Sequence, residues 1–165
     1  MNVTFIDTTG NFVNTTNNTG KFTVTANNQV VVNVTDVTVS YGQNTTIRVN
    51  VTYFNGTDYV DMTGGIVNIT INGVNYTASV NNGVANIIYN GTLDVGEYPM
   101  NVTFIDTTGN FANTTNNTSK FTVTINNQVV VNVTDVTVPY GQNTTIRVNV
   151  TYFNGTDMWI WLVVL

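Results

Sequence analysis

Apolar and polar residues alternate along much of this chain. Between residues 47 and 53, and again between residues 98 and 104, every second residue is apolar. A strict alternation places one face of a β-strand against a core and the other face in water. No segment shows the apolar periodicity of an amphipathic helix. The pattern therefore predicts an all-β protein.

Two Asn-Gly dipeptides predict the turns between further strands. Asn72-Gly73 separates apolar alternations at residues 67–71 and 74–80, and Asn82-Gly83 leads into residues 84–89. Asn-Gly favours a two-residue hairpin turn with positive φ. The outermost strands are predicted at residues 30–34, 37–41 and 121–125. Residues 28–126 are thus expected to form about seven strands, the number found in an immunoglobulin-like β-sandwich.

Residues 1–58 recur almost unchanged as residues 100–157. Four positions differ, as Val13/Ala112, Gly20/Ser119, Ala26/Ile125 and Ser40/Pro139. A period of about one hundred residues fits one sandwich domain per repeat and is too long for a solenoid. We expect a complete immunoglobulin-like domain at 28–126, the last strands of a preceding repeat at 1–27, and the first strands of a following repeat at 127–157.

A permuted domain at residues 1–99 is excluded on geometric grounds. The strand ending near residue 25 and the strand starting near residue 30 would run parallel, so their connection must return over about 30 Å. Residues 26–29 span only about 14 Å when fully extended. The flanking partial domains therefore expose strand edges, and we expect strand swapping or aggregation between the near-identical copies.

Neither end of the chain coincides with the end of a repeat. Met1 holds the place of Met100, which lies within a predicted strand, so we expect the chain to begin inside a repeat. After residue 157 the repeat should continue as residues 59–66 do, but residues 158–165 read MWIWLVVL. A one-base deletion in codons for YVDMAGGI, with Ala in place of Thr63, yields this tail letter for letter. We interpret 158–165 as an aberrant hydrophobic tail produced by a frameshift, because a helical membrane anchor needs about 20 apolar residues.

Composition disfavours several kinds of chemistry and partner. The chain has no Cys and no His, so disulfides, thiol nucleophiles, histidine bases and Cys/His zinc sites are excluded. Charged residues make up 8% of the chain, and the net charge is −5. This charge disfavours nucleic acid and an anionic membrane surface as partners. We expect no cofactor and no enzymatic activity.

One motif points to a structural site. Leu93, Asp94, Gly96 and Tyr98 lie just before the penultimate predicted strand. A sandwich of the immunoglobulin type places a tyrosine corner there, in which the tyrosine hydroxyl bonds to backbone upstream. We therefore favour a structural role for Tyr98 over a binding role.

Polar surface residues are weaker candidates for functional sites. Asn-x-Thr triplets, which are potential N-glycan acceptors on an exported chain, start at several positions, among them Asn33, Asn44, Asn50, Asn55, Asn68, Asn75, Asn90, Asn101 and Asn132. An Asn/Thr-rich strand face also produces such triplets by chance, so both interpretations stay open. A second set of candidates consists of the acidic residues Asp58, Asp61, Asp94, Glu97 and Asp106. Their side chains could pair for catalysis or hold calcium, but a role in forming turns explains them more simply.

The chain resembles the immunoglobulin-like repeats of prokaryotic adhesin-like surface proteins, including those of methanogenic archaea. The resemblance covers residues 1–157 and is carried by residues 93–98, 109–111 with Thr114 and Thr115, and 120–123. It implies a non-enzymatic stalk module of a parent protein that is located at the cell surface or outside the cell. The sequence itself shows no signal peptide, so it predicts no location for this segment alone. The implied partners are the neighbouring repeats of a parent chain and, through that parent, host or cell-surface glycans or proteins, with no direct membrane span. Such proteins typically carry an export signal and often an anchor.

Three alternatives to a stalk module remain open. A glycan-binding module would need an exposed aromatic cluster, for which Tyr53, Phe54 and Tyr59 are the candidates. An appendage of an envelope enzyme would keep its catalytic domain elsewhere. A non-functional gene fragment would have no role of its own.

Overall fold

A computed structural model describes residues 1–153 and 158–164, and every regular element among them is a β-strand. The all-β prediction is confirmed for this part of the chain. Residues 154–157 and 165, which belong to the predicted segments 127–157 and 158–165, lie outside the described residues.

The strands fall into three groups along the chain. The N-terminal segment (residues 1–27) contains β1 (Val3–Phe5) and β2 (Thr15–Asn17). The central unit (residues 28–126) contains β3 (Val30–Asn33), β4 (Val37–Ser40), β5 (Thr45–Phe54), β6 (Tyr59–Asp61), β7 (Ile66–Ile71), β8 (Val74–Ser79), β9 (Val84–Tyr89), β10 (Gly96–Ile105), β11 (Thr114–Asn116) and β12 (Lys120–Thr124). The C-terminal segment (residues 127–153) contains β13 (Val129–Val133) and β14 (Arg147–Phe153), and β15 (Met158–Val164) follows it.

Strand β5 is the middle of the first sheet of the central unit. Strand β3 pairs antiparallel with one edge of β5, and β9 and β6 lie end to end along the other edge. Asn50 shows this arrangement, because it faces Asn33 of β3 on one side and Val84 of β9 on the other.

Strand β10 is the middle of the second sheet, whose order is β4-β12-β10-β7-β8. Strands β7 and β8 form the hairpin predicted at Asn72-Gly73, and both residues have positive φ, at 49° and 78°. Strand β11 pairs with β10 along the same edge as β12. Strand β4 is an edge strand that runs parallel to β12.

The two sheets of the central unit face each other and enclose one apolar core. Alternating side chains of both sheets fill it, among them Val49 and Ile87 from the first sheet and Ile69, Phe104 and Phe121 from the second. The rings of Tyr89 and Phe121 meet across the core with their centroids 4.6 Å apart. The central unit is therefore a two-layer, sandwich-like β structure.

The predicted strands of the central unit match the structure to within a few residues, with two additions. The three-residue strands β6 and β11 were not predicted, because each is too short to display an alternation. Strands β3 and β4, at the start of the unit, belong to different sheets. The turn predicted at Asn82-Gly83 also has positive φ at both residues, 46° and 75°.

The flanking segments repeat the local pairing of the central unit. Strands β1 and β2 pair as Val3 with Asn17, and their later counterparts pair as Val102 with Asn116. Strand β13 pairs with β14 as β3 pairs with β5. Strand β15 then pairs antiparallel with β14 along its whole length. Two predicted strands differ, because residues 21–25 and 136–139 form no strand although their counterparts are β12 and β4.

Candidate functional site

The loop between β9 and β10 is held by two tyrosine hydroxyls. The Tyr98 hydroxyl donates a hydrogen bond to the backbone oxygen of Asp94 at 2.9 Å, and the backbone N–H of Leu93 donates to the Tyr89 hydroxyl at 2.8 Å. A Cβ atom at Gly96 would lie 3.3 Å from the Tyr98 hydroxyl oxygen, so a side chain there would crowd the ring. The four residues singled out in the sequence thus lie together, Leu93 and Asp94 in the loop and Gly96 and Tyr98 at the start of β10.

Tyr89, the last residue of β9, also holds this loop, and sequence reasoning missed it. Its side chain is buried, and this burial raises the pKa of its phenol above the ordinary value, against the opposing hydrogen bond from Leu93. The hydroxyl is therefore neutral, and it accepts a backbone bond rather than facing a ligand. The only sequence signal for it is its position at the end of an alternating strand, four residues before Leu93.

Asp106 organises a second loop, after β10. Its carboxylate accepts hydrogen bonds from the Phe111 N–H at 3.2 Å and from the Thr108 hydroxyl at 3.0 Å. Desolvation raises the pKa of Asp106, but the bonds from Phe111 and Thr108 outweigh it and hold the pKa below the ordinary value. This bonding fits the turn-forming role that the sequence favoured, and it leaves the carboxylate engaged with its own loop.

The remaining acids do not gather into a site. Glu97 forms an ion pair with Lys120, with 3.0 Å between Nζ and Oε2, and both side chains are well exposed. Asp58 lies in a turn whose N–H groups bond the Asn55 side chain. Within the described part of the chain, no group of three or more Asp, Glu, His or Cys side chains is arranged to hold a metal ion.

The candidate glycan acceptors lie mostly on the surface. Asn33, Asn44, Asn50, Asn55, Asn75, Asn90, Asn101 and Asn132 are exposed. Asn68 is only partly exposed, and its Oδ1 atom is buried without a hydrogen-bond partner. An enzyme that attaches a glycan must reach the side-chain amide of the acceptor. Asn68 is therefore the least accessible of these acceptors to such an enzyme.

The aromatic residues considered for glycan binding do not form an exposed cluster. Tyr53 packs against Phe111 of the core rim, with ring centroids 4.8 Å apart. Phe54 is half-buried against Tyr59, at 5.5 Å between centroids. Only Tyr59 is well exposed, at 57% of its surface. A stacking platform for sugars needs several exposed rings, and these three offer one.

Asn126 joins the central unit to the segment that follows it. Its Nδ2 atom donates to the backbone oxygen of Tyr41 at 3.0 Å and to that of Phe153 at 2.7 Å. Asn27, its counterpart in the first copy, donates in the same way to Phe54 at 2.7 Å. Sequence reasoning missed this pair, because an Asn in an Asn-rich linker carries no distinguishing signal.

A surface depression lies at the same junction. It is lined by Tyr41 and Asn126 on one side and by Val129, Val150 and Tyr152 of the C-terminal segment on the other. Among the described residues its lining is mostly apolar and includes no charged side chain. The depression therefore has the character of a packing junction between consecutive segments.

Comparison with known proteins adds no relative. No family model, no curated protein and no solved structure matches the chain. None of the described residues forms a helix long and apolar enough to cross a membrane.

Proposed function

We propose that this chain is a repeat segment of a cell-surface, adhesin-like protein, in which immunoglobulin-like domains follow one another as a non-enzymatic stalk. The observation that carries the proposal is the recurrence of residues 1–58 as residues 100–157. Two strand pairs keep the same register in both copies, β1–β2 with β10–β11 and β3–β5 with β13–β14. Repetition of this kind lengthens a molecule without adding a new kind of functional site.

The strand order supports an immunoglobulin-like assignment. One sheet has the order β3-β5-β9, and the other has the order β4-β12-β10-β7-β8. In an immunoglobulin-like sandwich the first, second and fifth strands share a sheet, and the third, sixth and seventh share the other. Strands β3, β5 and β9 fit the first set, and β7, β10 and β12 fit the second. The hydrogen bond from Tyr98 to Asp94 fits the tyrosine corner of that fold.

The junction at Asn126 supports a stalk. A short linker whose side chain bonds backbone on both sides resists bending more than a free Gly/Ser linker does. The repeated contact from Asn27 to Phe54 indicates that each unit begins in the same way. Successive units of the parent chain are thus the partners that this proposal requires.

Labelling of intact cells tests the surface location. Antibodies raised against the 165-residue chain should bind intact cells that produce the natural protein, and external protease should remove that signal. The intact mass of the natural protein shows whether glycans occupy the exposed Asn acceptors. Staining that requires permeabilised cells would contradict a surface location.

The stiffness of the junction can be tested separately. Asn126→Ala removes both backbone contacts, so small-angle scattering should show a wider distribution of angles between the central unit and the C-terminal segment. Asn127→Ala, at an exposed neighbouring position, is the matched control and should leave the scattering unchanged. Identical scattering from the two variants would contradict a clamping role for Asn126.

A further inference from the structure

Two Asn-Gly-Val tripeptides occupy matching turns in the central unit. Asn72-Gly73-Val74 connects β7 to β8, and Asn82-Gly83-Val84 connects β8 to β9. The φ angles of Asn and Gly are nearly equal, at 49° and 78° in the first turn and 46° and 75° in the second. In each turn the residues that flank the Asn-Gly pair antiparallel with each other. Local sequence and local backbone shape are therefore alike at the two places.

The second turn is held against the first sheet. Gly83 is buried, and both of its backbone polar groups are engaged. Its N–H donates to the Met62 oxygen at 2.8 Å, and its oxygen accepts a bond from the Val51 N–H at 2.8 Å. A Cβ atom at Gly83 would collide with the Asp61 side chain. Gly83 can therefore move only when these contacts open.

The first turn has no comparable contacts. Asn72 and Gly73 are both exposed, and a Cβ atom at Gly73 would meet no atom within 4 Å. Among the described residues, the Gly73 N–H has no backbone acceptor. The strand that follows, β8, is the last strand of its sheet and pairs with β7. The first turn can therefore change its conformation without breaking a tertiary contact.

Two further Asn-Gly dipeptides of the described residues are restrained in other ways. The Asn55 Oδ1 atom accepts bonds from the N–H groups of Thr57 and Asp58, both at 2.9 Å. Gly91 packs against the backbone of Gly42, where a Cβ atom on Gly91 would lie 2.8 Å from the carbonyl. Asn72-Gly73 is thus the least restrained Asn-Gly in the part of the chain that the structure describes.

An Asn-Gly dipeptide can react with itself. Asparagine is thermolabile, and Gly has no side chain to shield its backbone nitrogen. Hydroxide takes the proton of the Gly nitrogen, which then bonds to Cγ of the Asn. The bond from Cγ to Nδ2 breaks, and the leaving nitrogen takes up a proton from water and departs as ammonia.

The succinimide that remains is opened by water at either of its two carbonyl groups. One product is an aspartyl residue, and the other is an isoaspartyl residue, in which the main chain runs through Cγ. A buried Gly nitrogen that donates a hydrogen bond cannot approach Cγ until that bond opens. The contacts of the Gly therefore decide which Asn-Gly reacts in the folded protein.

We propose that Asn72 is a site of spontaneous modification in the folded protein, where ring closure with Gly73 and hydrolysis give aspartyl and isoaspartyl forms, while the contacts of Gly83 protect Asn82. The isoaspartyl form adds a main-chain atom to a two-residue turn whose length fixes the register of β7 and β8. Because β8 pairs with β7 alone among the described strands, this form loosens the edge of the second sheet.

Peptide mapping of the 165-residue chain during storage in mildly alkaline buffer measures both sites in one sample. Fragments that contain residue 72 or residue 82 gain the mass difference between water and ammonia when they react, and chromatography separates the isoaspartyl from the aspartyl form. Attack at Asn82 must first break a buried hydrogen bond, so the rate at Asn72 should exceed the rate at Asn82 by about tenfold or more.

The same chain unfolded in urea is the control for local sequence. Because the two sites share the tripeptide Asn-Gly-Val, their rates should become nearly equal there. Asn72→Asp is the control for charge, since it carries the charge of the product on an ordinary main chain. Amide exchange in β8 should be faster in the purified isoaspartyl form than in Asn72→Asp, while exchange in β10 should be the same in both.

Four outcomes would overturn the proposal. Equal rates at the two sites of the folded chain, or a faster reaction at Asn82, would show that the contacts of Gly83 do not protect it. A folded chain that reacts at neither site, while the unfolded chain reacts at both, would show that the first turn is restrained as well. A rate difference that persists in urea would assign it to sequence outside the tripeptide. Unchanged exchange in β8 of the isoaspartyl form would show that the sheet edge is not loosened.

Discussion

The repeated segments at residues 1–27 and 100–126 have almost the same sequence, but their side chains are buried to different extents. In the central unit Phe104 and Phe121 are completely buried, whereas Phe5 is 53% exposed and Phe22 is 81% exposed in the first copy. The two segments differ at only three positions, Val13/Ala112, Gly20/Ser119 and Ala26/Ile125. The difference in burial therefore comes from the partner strands and not from the segment itself.

The hydrogen bonds between residues close in sequence are the same in both copies of the segment. The hydroxyl oxygens of Thr4 and Thr16 lie 2.9 Å apart, and those of Thr103 and Thr115 lie 3.0 Å apart. Asp7 accepts a bond from the Phe12 N–H at 3.0 Å, as Asp106 does from Phe111. Turns and hairpins are thus specified by nearby residues, whereas the strand at residues 120–124 needs β4 and β10 beside it.

The largest expected difference concerns the buried phenylalanine of β12. Phe121→Ala should lower the free energy of unfolding of the central unit by about 3–5 kcal/mol, because it removes a fully buried ring and leaves a cavity. Phe22→Ala, the same change in the first copy, should alter it by less than about 0.5 kcal/mol. Urea unfolding followed by circular dichroism, at concentrations where the chain is monomeric, measures both. Equal losses of stability for the two variants would contradict the conclusion that the phenylalanine is buried only in the central unit.

A smaller effect is expected where the two copies differ in sequence. Ser119→Gly removes the hydroxyl that bonds the Val34 oxygen and should destabilise the central unit by about 1–2 kcal/mol. Gly20→Ser should leave stability nearly unchanged, since Gly20 is exposed and has no such partner in the same molecule. Thermal unfolding of both variants against the wild type checks this pair, and a stabilising Gly20→Ser in the monomer would contradict it.

The tyrosine corner should contribute less to the stability of the central unit than the Ser119 hydroxyl does. Tyr98→Phe removes one hydrogen bond, to Asp94, and should lower the free energy of unfolding by about 1 kcal/mol. Tyr59→Phe is the control, because Tyr59 lies at the surface. Urea unfolding midpoints compare the two, and a Tyr98→Phe midpoint equal to that of the control would mean that the hydroxyl does not hold the loop.

The smallest effect concerns the Asp loops, which should behave alike in both copies. Hydrogen bonds from Phe12 and then Thr9 lower the pKa of Asp7 from 3.8 to about 2, and the pKa of Asp106 is also lowered. Because the folded pKa is below the unfolded one, the loop at Asp7 is fully stabilised above about pH 3.8 and loses this stabilisation as the pH falls towards 2. Carboxyl carbon NMR titration measures it. An ordinary aspartate pKa at Asp7 would contradict a locally formed loop.

Sequence alone predicted the features that depend on local pattern. The alternation at residues 47–53 and the positive φ at Asn72-Gly73 follow from neighbouring residues, and both are present. It could not predict that residues 21–25 and 120–124 differ in structure, because that depends on strands distant along the chain. The contact of Asn126 with Tyr41 was likewise missed, since it is set by how two segments meet.

Amide hydrogen exchange on the dilute, monomeric chain tests most directly whether partner strands decide the structure of the repeated segment. The account predicts strong protection at Phe121 and Val123 and exchange close to that of an unstructured chain at Phe22 and Val24, while the Asp7 and Asp106 loops are both protected at Phe12 and Phe111. Equal protection of residues 21–25 and 120–124 in the monomer would contradict it, because the segment would then form its strand without β4 and β10.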